Sequence, residues 1–315
     1  MASSVPLDTG EGTHGIPWRV SATDLLLVCM ALLWGVNFIV VKFATGVFAP
    51  LAFNGTRVLV AVVVLWSIVV ARRMPLPPRR DVLALLALGA LGNGLYQILF
   101  VEGLARTRAS DAALLVSASP AFIEAIGFLR GLERLGWRGL VGIALSLCGI
   151  GLVVSGAARG VPEDSTWLGN GLILGCCLCW ALYSVLLKPY TERIDGLTLS
   201  AVAMTGGVVP LLIVGAPALL ATNWGAVTSG GWGAVAYSGL LALVVAYLFW
   251  YRGVKVLGPT RAAMYSNLQP LFAMGVAWAV LKEAPRTSQL AGAAFIIGGL
   301  LLTRLPVAQA IVAHE

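Results

Sequence analysis

Polar positions in this chain fall in short breaks between long apolar stretches. Ten stretches hold about 20 mostly apolar residues each, the length at which a helix crosses a bilayer core. They run 23–42, 50–71, 82–104, 110–130, 137–157, 167–188, 197–221, 231–253, 261–281 and 287–305. The breaks are polar or rich in Pro and Gly, as in "ARRMPLPPRRD" (71–81), "ARGVPEDST" (158–166) and "TERIDG" (191–196). Short connections make successive helices antiparallel neighbours. The pattern predicts an all-α integral membrane protein of ten transmembrane helices. The first stretch is too long for a signal-peptide core and lacks a small-x-small cleavage site, so it is expected to stay on the protein.

The pattern also repeats. "LLWGVNFIVVK" (32–42) returns as "LCWALYSVLLK" (178–188), pairing Leu32 with Leu178, Trp34 with Trp180 and Lys42 with Lys188. Further on, Gly103 pairs with Gly253, Pro120 with Pro270, Glu133 with Glu283, Gly142 with Gly292 and Gly149 with Gly299. A few extra residues in the second copy fit in a loop before the eighth stretch. The expected organisation is a flexible tail (1–19), a five-helix unit (20–157), a linker (158–166), a second five-helix unit (167–305) and a tail (306–315). A unit with an odd number of spans sends its copy into the membrane from the opposite side. That is the inverted-topology repeat of many secondary transporters.

Within the stretches, polar residues recur at helical spacing, so they share faces. Trp34 and Asn37 lie three apart on the first helix, and Trp180 and Tyr183 match them on the sixth. Asn93 sits with Tyr96 and Gln97 on the third, Ser117 with Glu124 on the fourth, Tyr247 with Trp250 and Tyr251 on the eighth, and Tyr265 with Asn267 and Gln269 on the ninth. The fifth and tenth helices are Gly-rich and aliphatic. This predicts a central cavity lined by helices 1, 3, 4, 6, 8 and 9. Helices 5 and 10 would serve as packing elements or as the face of a homodimer; otherwise the protein is a monomer. The bland alternatives are interfacial anchoring for Trp250 and Tyr251 and interhelical hydrogen bonding for the asparagines.

Composition strengthens the membrane reading. Hydrophobic residues make up 59% of the chain and charged residues 11%, with a mean hydropathy of +0.90. Soluble domains carry about 25% charged residues. The net charge of +7 is scattered between apolar segments rather than gathered into a nucleic-acid surface. With an inside N-terminus, Lys and Arg favour the inside by about two to one, which places both termini in the cytoplasm of a cell (inner) membrane protein. Charges within or near spans read as coupling or gating groups. Arg57 lies in the second helix with Glu102 as its expected partner. Glu124 lies in the fourth, either as a proton or ammonium site or paired with Arg130. Pro120 and Pro270 each free a mid-helix carbonyl and read as hinges or as carbonyls offered to substrate. Lys42 and Lys188 suit the dipole of a helix C-terminus, and Glu133 and Glu283 that of an N-terminus. Both histidines, His14 and His314, lie in the tails, and all five cysteines lie in apolar stretches. No disulfide framework, metal site or cofactor is implied. Enzyme chemistry finds no histidine or close acidic pair in the spans. No Walker-type loop suggests ATP hydrolysis.

These residues resemble the drug/metabolite transporter superfamily in its ten-helix EamA-like branch. The likeness is carried by Trp34-Gly35-x-Asn37 with Lys42, by Arg57, and by "GLARTRASDAALLVSASPAFIEAIGFLRGLERL" (103–135) with its counterpart "GVKVLGPTRAAMYSNLQPLFAMGVAWAVLKE" (253–283). Glu124 and Arg130 stand where members are more often apolar. The resemblance implies a secondary transporter in a lipid bilayer, exporting a small-molecule substrate such as an amino acid. The alternative is a proton-coupled exporter of cationic drugs that uses Glu124.

Overall fold

A computed structural model of the chain describes residues 21–130, 137–158, 166–282 and 284–304. Both tails, most of the 158–166 linker, Glu133 and Glu283 lie outside the described residues. The regular structure of the described residues is helical throughout. In chain order the helices are α1 (Ala22–Ala44), α2 (Pro50–Ala71), α3 (Arg79–Ala105), α4 (Ala109–Leu129), α5 (Trp137–Ala158), α6 (Trp167–Arg193), α7 (Gly196–Ala221), α8 (Ser229–Leu257), α9 (259–281) and α10 (Thr287–Arg304). Seven of them, α1 to α4 and α6 to α8, are long and apolar enough to cross a membrane, and α5 holds a shorter apolar stretch, Leu140–Val153.

Local chemistry sets the ends. At the start of α1, Ser21 Oγ accepts from the Asp24 amide at 3.2 Å, while Asp24 Oδ2 accepts from the Ser21 amide at 2.8 Å. This capping box satisfies donors the first turn would leave bare. Side chains of Thr166, Asp195 and Thr228 accept from first-turn amides and so cap α6, α7 and α8. Pro50 opens α2 where its missing N–H costs nothing. Gly258, at φ +82°, ends α8, and Pro259 follows it. That left-handed turn suits glycine.

The helices are not uniform. Residues 90–95 of α3 and 237–245 of α8 are π-helical. α4 breaks at 117–118 and α9 at 266–268, each just before a proline at the first turn of the following piece. Proline cannot donate to the carbonyl four residues back. Those carbonyls find partners nonetheless: Val116 O accepts from Ser119 Oγ at 2.6 Å, and Ser266 O accepts from the Gln269 amide. Each of these carbonyls keeps a second lone pair, and Val116 and Ser266 both line the central cavity described below.

Helix directions define two ends. Thr166 Oγ1 and its amide both donate to Arg106 O at 3.0 Å, and Thr107 Oγ1 donates to Asn170 Oδ1 at 2.7 Å, so α6 begins where α3 stops. Arg193 and Asp81 form an ion pair at 3.3 Å, joining their opposite ends. Lys42 reaches the α3 C-terminus, so α1 and α6 run in opposite directions. Lys188 lies at the far end, about 27 Å up α6 from Asn170. One apolar cluster, around Leu27, Leu65, Leu187 and Trp250, fills the Lys188 half. A second, around Phe48, Phe53, Leu104 and Ile173, fills the Lys42 half. Tyr96 and Phe122 pack against both.

Glycines let backbones touch where side chains would hold them apart. A Cβ on Gly149 would lie 2.7 Å from Gly292 O, and one on Gly299 would lie 2.4 Å from Gly142 O. α5 and α10 thus pack against each other, as the packing reading of their sequence expects. A Cβ on Gly89 of α3 would lie 1.9 Å from Ala203 O on α7. Outward faces carry exposed apolar residues such as Val63, Ile213, Leu220 and Phe295.

Candidate functional site

The two repeated tryptophans meet at the centre of the molecule. Trp34 and Trp180 stand edge to face at 5.7 Å between ring centroids. Tyr247 lies 5.6 Å from Trp34 and 5.7 Å from Trp180, and Trp250 lies 5.9 and 5.3 Å from them. Such offset and edge contacts are the favourable geometry for aromatic quadrupoles. Trp34 Nε1 donates to Ala242 O at 2.9 Å, inside the π-helical part of α8. A π stretch frees the backbone from the regular ladder, as it often does at functional sites. Tyr96 stacks on Phe100 at 5.9 Å and meets Trp180 at 5.4 Å.

Beside this cluster lies a cavity of about 50 Å³. Of the residues expected from sequence, Trp34, Asn37, Tyr96, Gln97, Trp180, Tyr247 and Gln269 line it. Arg57 lines it as well. Phe38, Phe100, Ser119 and Ser266 join them, unanticipated from sequence. Ser119 directly follows the break in α4, and Ser266 lies in the break in α9. Ligand pockets usually offer about 300–1,000 Å³, so the central cavity is contracted and must widen to take more than water.

Arg57 is the one formal charge among the lining residues, and it is only 1% exposed. Its Nε donates to Asn54 Oδ1 at 2.8 Å, Nη1 to Ser238 Oγ at 2.9 Å and Nη2 to Gln97 Oε1 at 2.7 Å. Asn54 Nδ2 is fixed in turn by Gln97 O at 2.8 Å, and Ser238 Oγ donates to Asn37 Oδ1. The guanidinium carbon sits 5.3 Å from the Phe53 ring centroid and 5.8 Å from that of Phe100. Asn54, three residues before Arg57 on the same helix face, was a signal available in the sequence; Ser238 gave none.

Several expectations need correction. Glu102 does not pair with Arg57. It pairs with Arg106, one turn along its own helix. Asn93 and Tyr183 lie outside the cavity lining. They form a second buried polar group, in which Asn93 Nδ2 donates to Tyr183 OH at 3.5 Å and Tyr183 OH bonds Tyr251 OH at 2.7 Å. Ser117 is buried and donates to Leu114 O at 2.6 Å. Tyr265 donates to Asp24 near the start of α1. Asn267 keeps its Oδ1 buried and without a hydrogen-bond partner. Glu124 is half-buried on α4 and is not among the lining residues. Trp250 and Tyr251 are 0% and 2% exposed, which excludes an interfacial belt role.

The two ends differ. The Lys42 ammonium donates to Leu104 O at 3.2 Å, Ala105 O at 3.3 Å and Thr107 O at 2.7 Å. It therefore helps complete the C-terminus of α3 while standing in the last turn of its own helix. Lys188 is exposed and lines a hollow of about 610 Å³ with Val185, Glu192, Leu257, Gly258 and Arg261.

The EamA-like transporter family profile matches the chain twice, over residues 21–155 and 167–305. An uncharacterised transporter of Archaeoglobus fulgidus is 29% identical over 286 residues, covering 90% of this chain and 97% of its own. A probable terminal-alkyne amino-acid exporter of Streptantibioticus cattleyicolor is 26% identical, covering 90% and 94%. A probable amino-acid metabolite efflux pump of Salmonella typhimurium is 25% identical, covering 88% and 93%. A solved crystal structure superposes with a TM-score of 0.64 at 21% identity, covering 91% of this chain and 99% of that one, which speaks for the fold alone. With the family pattern over both halves and a helical fold rich in apolar spans, the chain is a multi-pass membrane protein of the EamA-like transporter family.

Proposed function

We propose that the protein exports a small metabolite, of amino-acid type, by alternating access through the Trp34–Trp180 cavity. The carrying observation is that this cavity forms where the two matched stretches meet. Ten crossing helices in two inverted units, 20–157 and 167–305, account for the surrounding contacts. Gly142–Gly299 and Gly149–Gly292 exchange into one another when each residue is replaced by its repeat partner. π-helical turns recur in α3 and α8, and breaks before proline recur in α4 and α9. Discontinuous helices at a repeat interface are a common way to build a mid-membrane site. Basic residues at the Lys188 end, among them Arg79, Arg80, Arg252 and Lys255, favour a cytoplasmic placement of that end and of both termini in the cell membrane. The curated exporters of amino acids and their metabolites support the cargo class and direction. A gradient of substrate or of protons would supply the energy. In the proposed cycle the Lys42 and Lys188 ends open alternately.

Export of cationic drugs through Glu124 fits less well, because the lining residues include no carboxylate and one guanidinium. Uptake of a labelled amino-acid panel by proteoliposomes separates cavity from periphery. Tyr96→Ala loses two ring contacts and is expected to slow uptake about tenfold while eluting as folded protein. Tyr265 is not among the lining residues, and Tyr265→Phe removes its one hydrogen bond to Asp24; it is expected to lower the unfolding midpoint slightly with transport little changed. Undiminished uptake by Tyr96→Ala would sink the cavity assignment.

A further inference from the structure

The cation in the cavity has no anion of its own. Among the described residues, no carboxylate lies within ion-pair distance of Arg57, although the side chain is almost wholly enclosed. Its hydrogen-bond acceptors are all neutral: an asparagine amide, a serine hydroxyl and a glutamine amide. A guanidinium has five N–H donors. Three are taken by these bonds, so two lack an acceptor among the described residues. An enclosed charge without a counter-ion is expensive. Folds normally relieve that cost with an acidic neighbour, and here the nearest candidate by sequence, Glu102, is committed to Arg106. The guanidinium is nonetheless held rigidly, by three hydrogen bonds and by two phenylalanine rings. This is how a site is prepared for a ligand: fixed in geometry and short of one negative charge.

We propose that Arg57 is the anion-binding residue of the transport site, and that the substrates are small carboxylates or zwitterions whose oxyanion supplies its missing partner. A planar fork of donors matches a carboxylate or a phosphoryl group, and charge-assisted bonds of this kind are about twice as strong as neutral ones. The rest of the substrate would lie against Trp34, Trp180 and Tyr247, which offer apolar faces. A substrate ammonium would find the negative ring faces of these same residues and the amide oxygens of Asn37 and Gln269. The assignment rests on the reading of the cavity as the transport site, and it narrows the cargo to molecules that carry an anionic head on an apolar body.

The test compares 3-phenylpropionate, L-phenylalanine, phenylphosphonate and the methyl esters of the first two, read as shifts in the thermal unfolding midpoint of the purified full chain. A ligand that binds only the folded state raises that midpoint. At least one carboxylate is expected to raise it and its ester is not; phenylphosphonate shows whether the site also accepts phosphoryl oxygens. Arg57→Gln is expected to weaken apparent affinity at least about tenfold, and Arg57→Lys to retain part of it. Gln97→Glu places a carboxylate at the position that now accepts from Nη2. It is expected to raise the unliganded midpoint and to abolish the carboxylate shift, because the missing charge is then supplied internally. It also keeps the test decisive if Arg57→Gln does not fold. Equal shifts from acid and ester, a carboxylate shift that survives Gln97→Glu, or no shift from any acid would each overturn the assignment. If acid and ester bind equally but Tyr96→Ala removes both shifts, only the anion role falls. If binding is indifferent to Tyr96, the cavity reading falls with it.

Discussion

Gly206→Leu is expected to leave no folded, monodisperse protein after detergent extraction. α3 and α7 touch backbone to backbone over several turns. A Cβ on Gly206 would lie 2.1 Å from Leu86 O, and one on Gly207 would lie 2.5 Å from the backbone carbon of Asn93. Gly94 faces Pro210 Cγ at 2.9 Å by the same measure. These neighbours are mostly main chain and cannot swing aside like a flexible side chain. Overpacking a core usually costs about 1–3 kcal/mol, and a leucine driven into two opposed helix backbones exceeds that range. The membrane sharpens the effect. Lipid is as apolar as the side chains, so helices associate mainly through close packing and hydrogen bonds, and small residues allow the approach. Separating α3 from α7 would also disturb Asn93 and Gln97, on the α3 segment that faces Tyr183 and Arg57. Gly171→Ala on α6 is the control, since a Cβ there meets nothing within 4 Å. It should keep the midpoint or raise it by up to about 1 kcal/mol of helix propensity. Size-exclusion profiles and melting curves of the two variants decide the matter. Elution and melting of Gly206→Leu like the unmodified chain would show that the α3–α7 contact is wrong.

The sequence announced this architecture more clearly than it announced the site. The boundaries of the apolar stretches fall within a few residues of the helix ends, because hydrophobic length is a direct physical requirement of crossing lipid. The pairing of Trp34 with Trp180 followed from the repeat, and the rings do meet. Two face assignments failed where the helix is not a regular α-helix, while Tyr183 missed the lining on the regular α6. Tyr265 and Gln269 lie four apart, which in an unbroken helix puts them on one side. The break at 266–268 comes between them, so Gln269 lines the cavity while Tyr265 turns to Asp24. The π turn at 90–95 likewise separates Asn93, which faces Tyr183, from Tyr96 and Gln97, which line the cavity. Arg57 and Glu102 were matched by depth alone. Glu102 found a cation four residues away on its own helix, where neighbours i and i+4 are already close, so nothing drew it across to α2.

Lys42→Met is expected to open the Lys42 end about tenfold more often. Three backbone carbonyls converge on that ammonium, two from the last turn of α3 and one, that of Thr107, from the turn that follows. Hydrogen bonds to a charged group contribute about 1.5–3 kcal/mol each. Any motion that parts α1 from the end of α3 must break them, and replacing even one by water shifts an equilibrium by about a factor of ten. In the proposed alternating-access cycle this becomes a statement about states. Repeat partners of Leu104, Ala105 and Thr107 are Val254, Lys255 and Leu257, and the partner of Lys42 is Lys188. Leu257 and Lys188 line the 610 Å³ hollow together. In the exchanged state Lys188 would bond the last carbonyls of α8, as Lys42 now bonds those of α3, and the hollow would close. Val185 lines the hollow, and its repeat partner Ile39 is 4% exposed. A cysteine at position 39, with Cys29 and Cys148 changed to Ser because both are exposed, therefore reports the rarer state. Its rate of modification by a small charged methanethiosulfonate should rise about tenfold on Lys42→Met. Lys188→Met should leave that rate unchanged or lower it, since it removes bonds made only when the opposite end is open. A rate at position 39 that does not respond to Lys42→Met would mean that the Lys42 contacts form in both states. They would then cap α3 without holding the end shut.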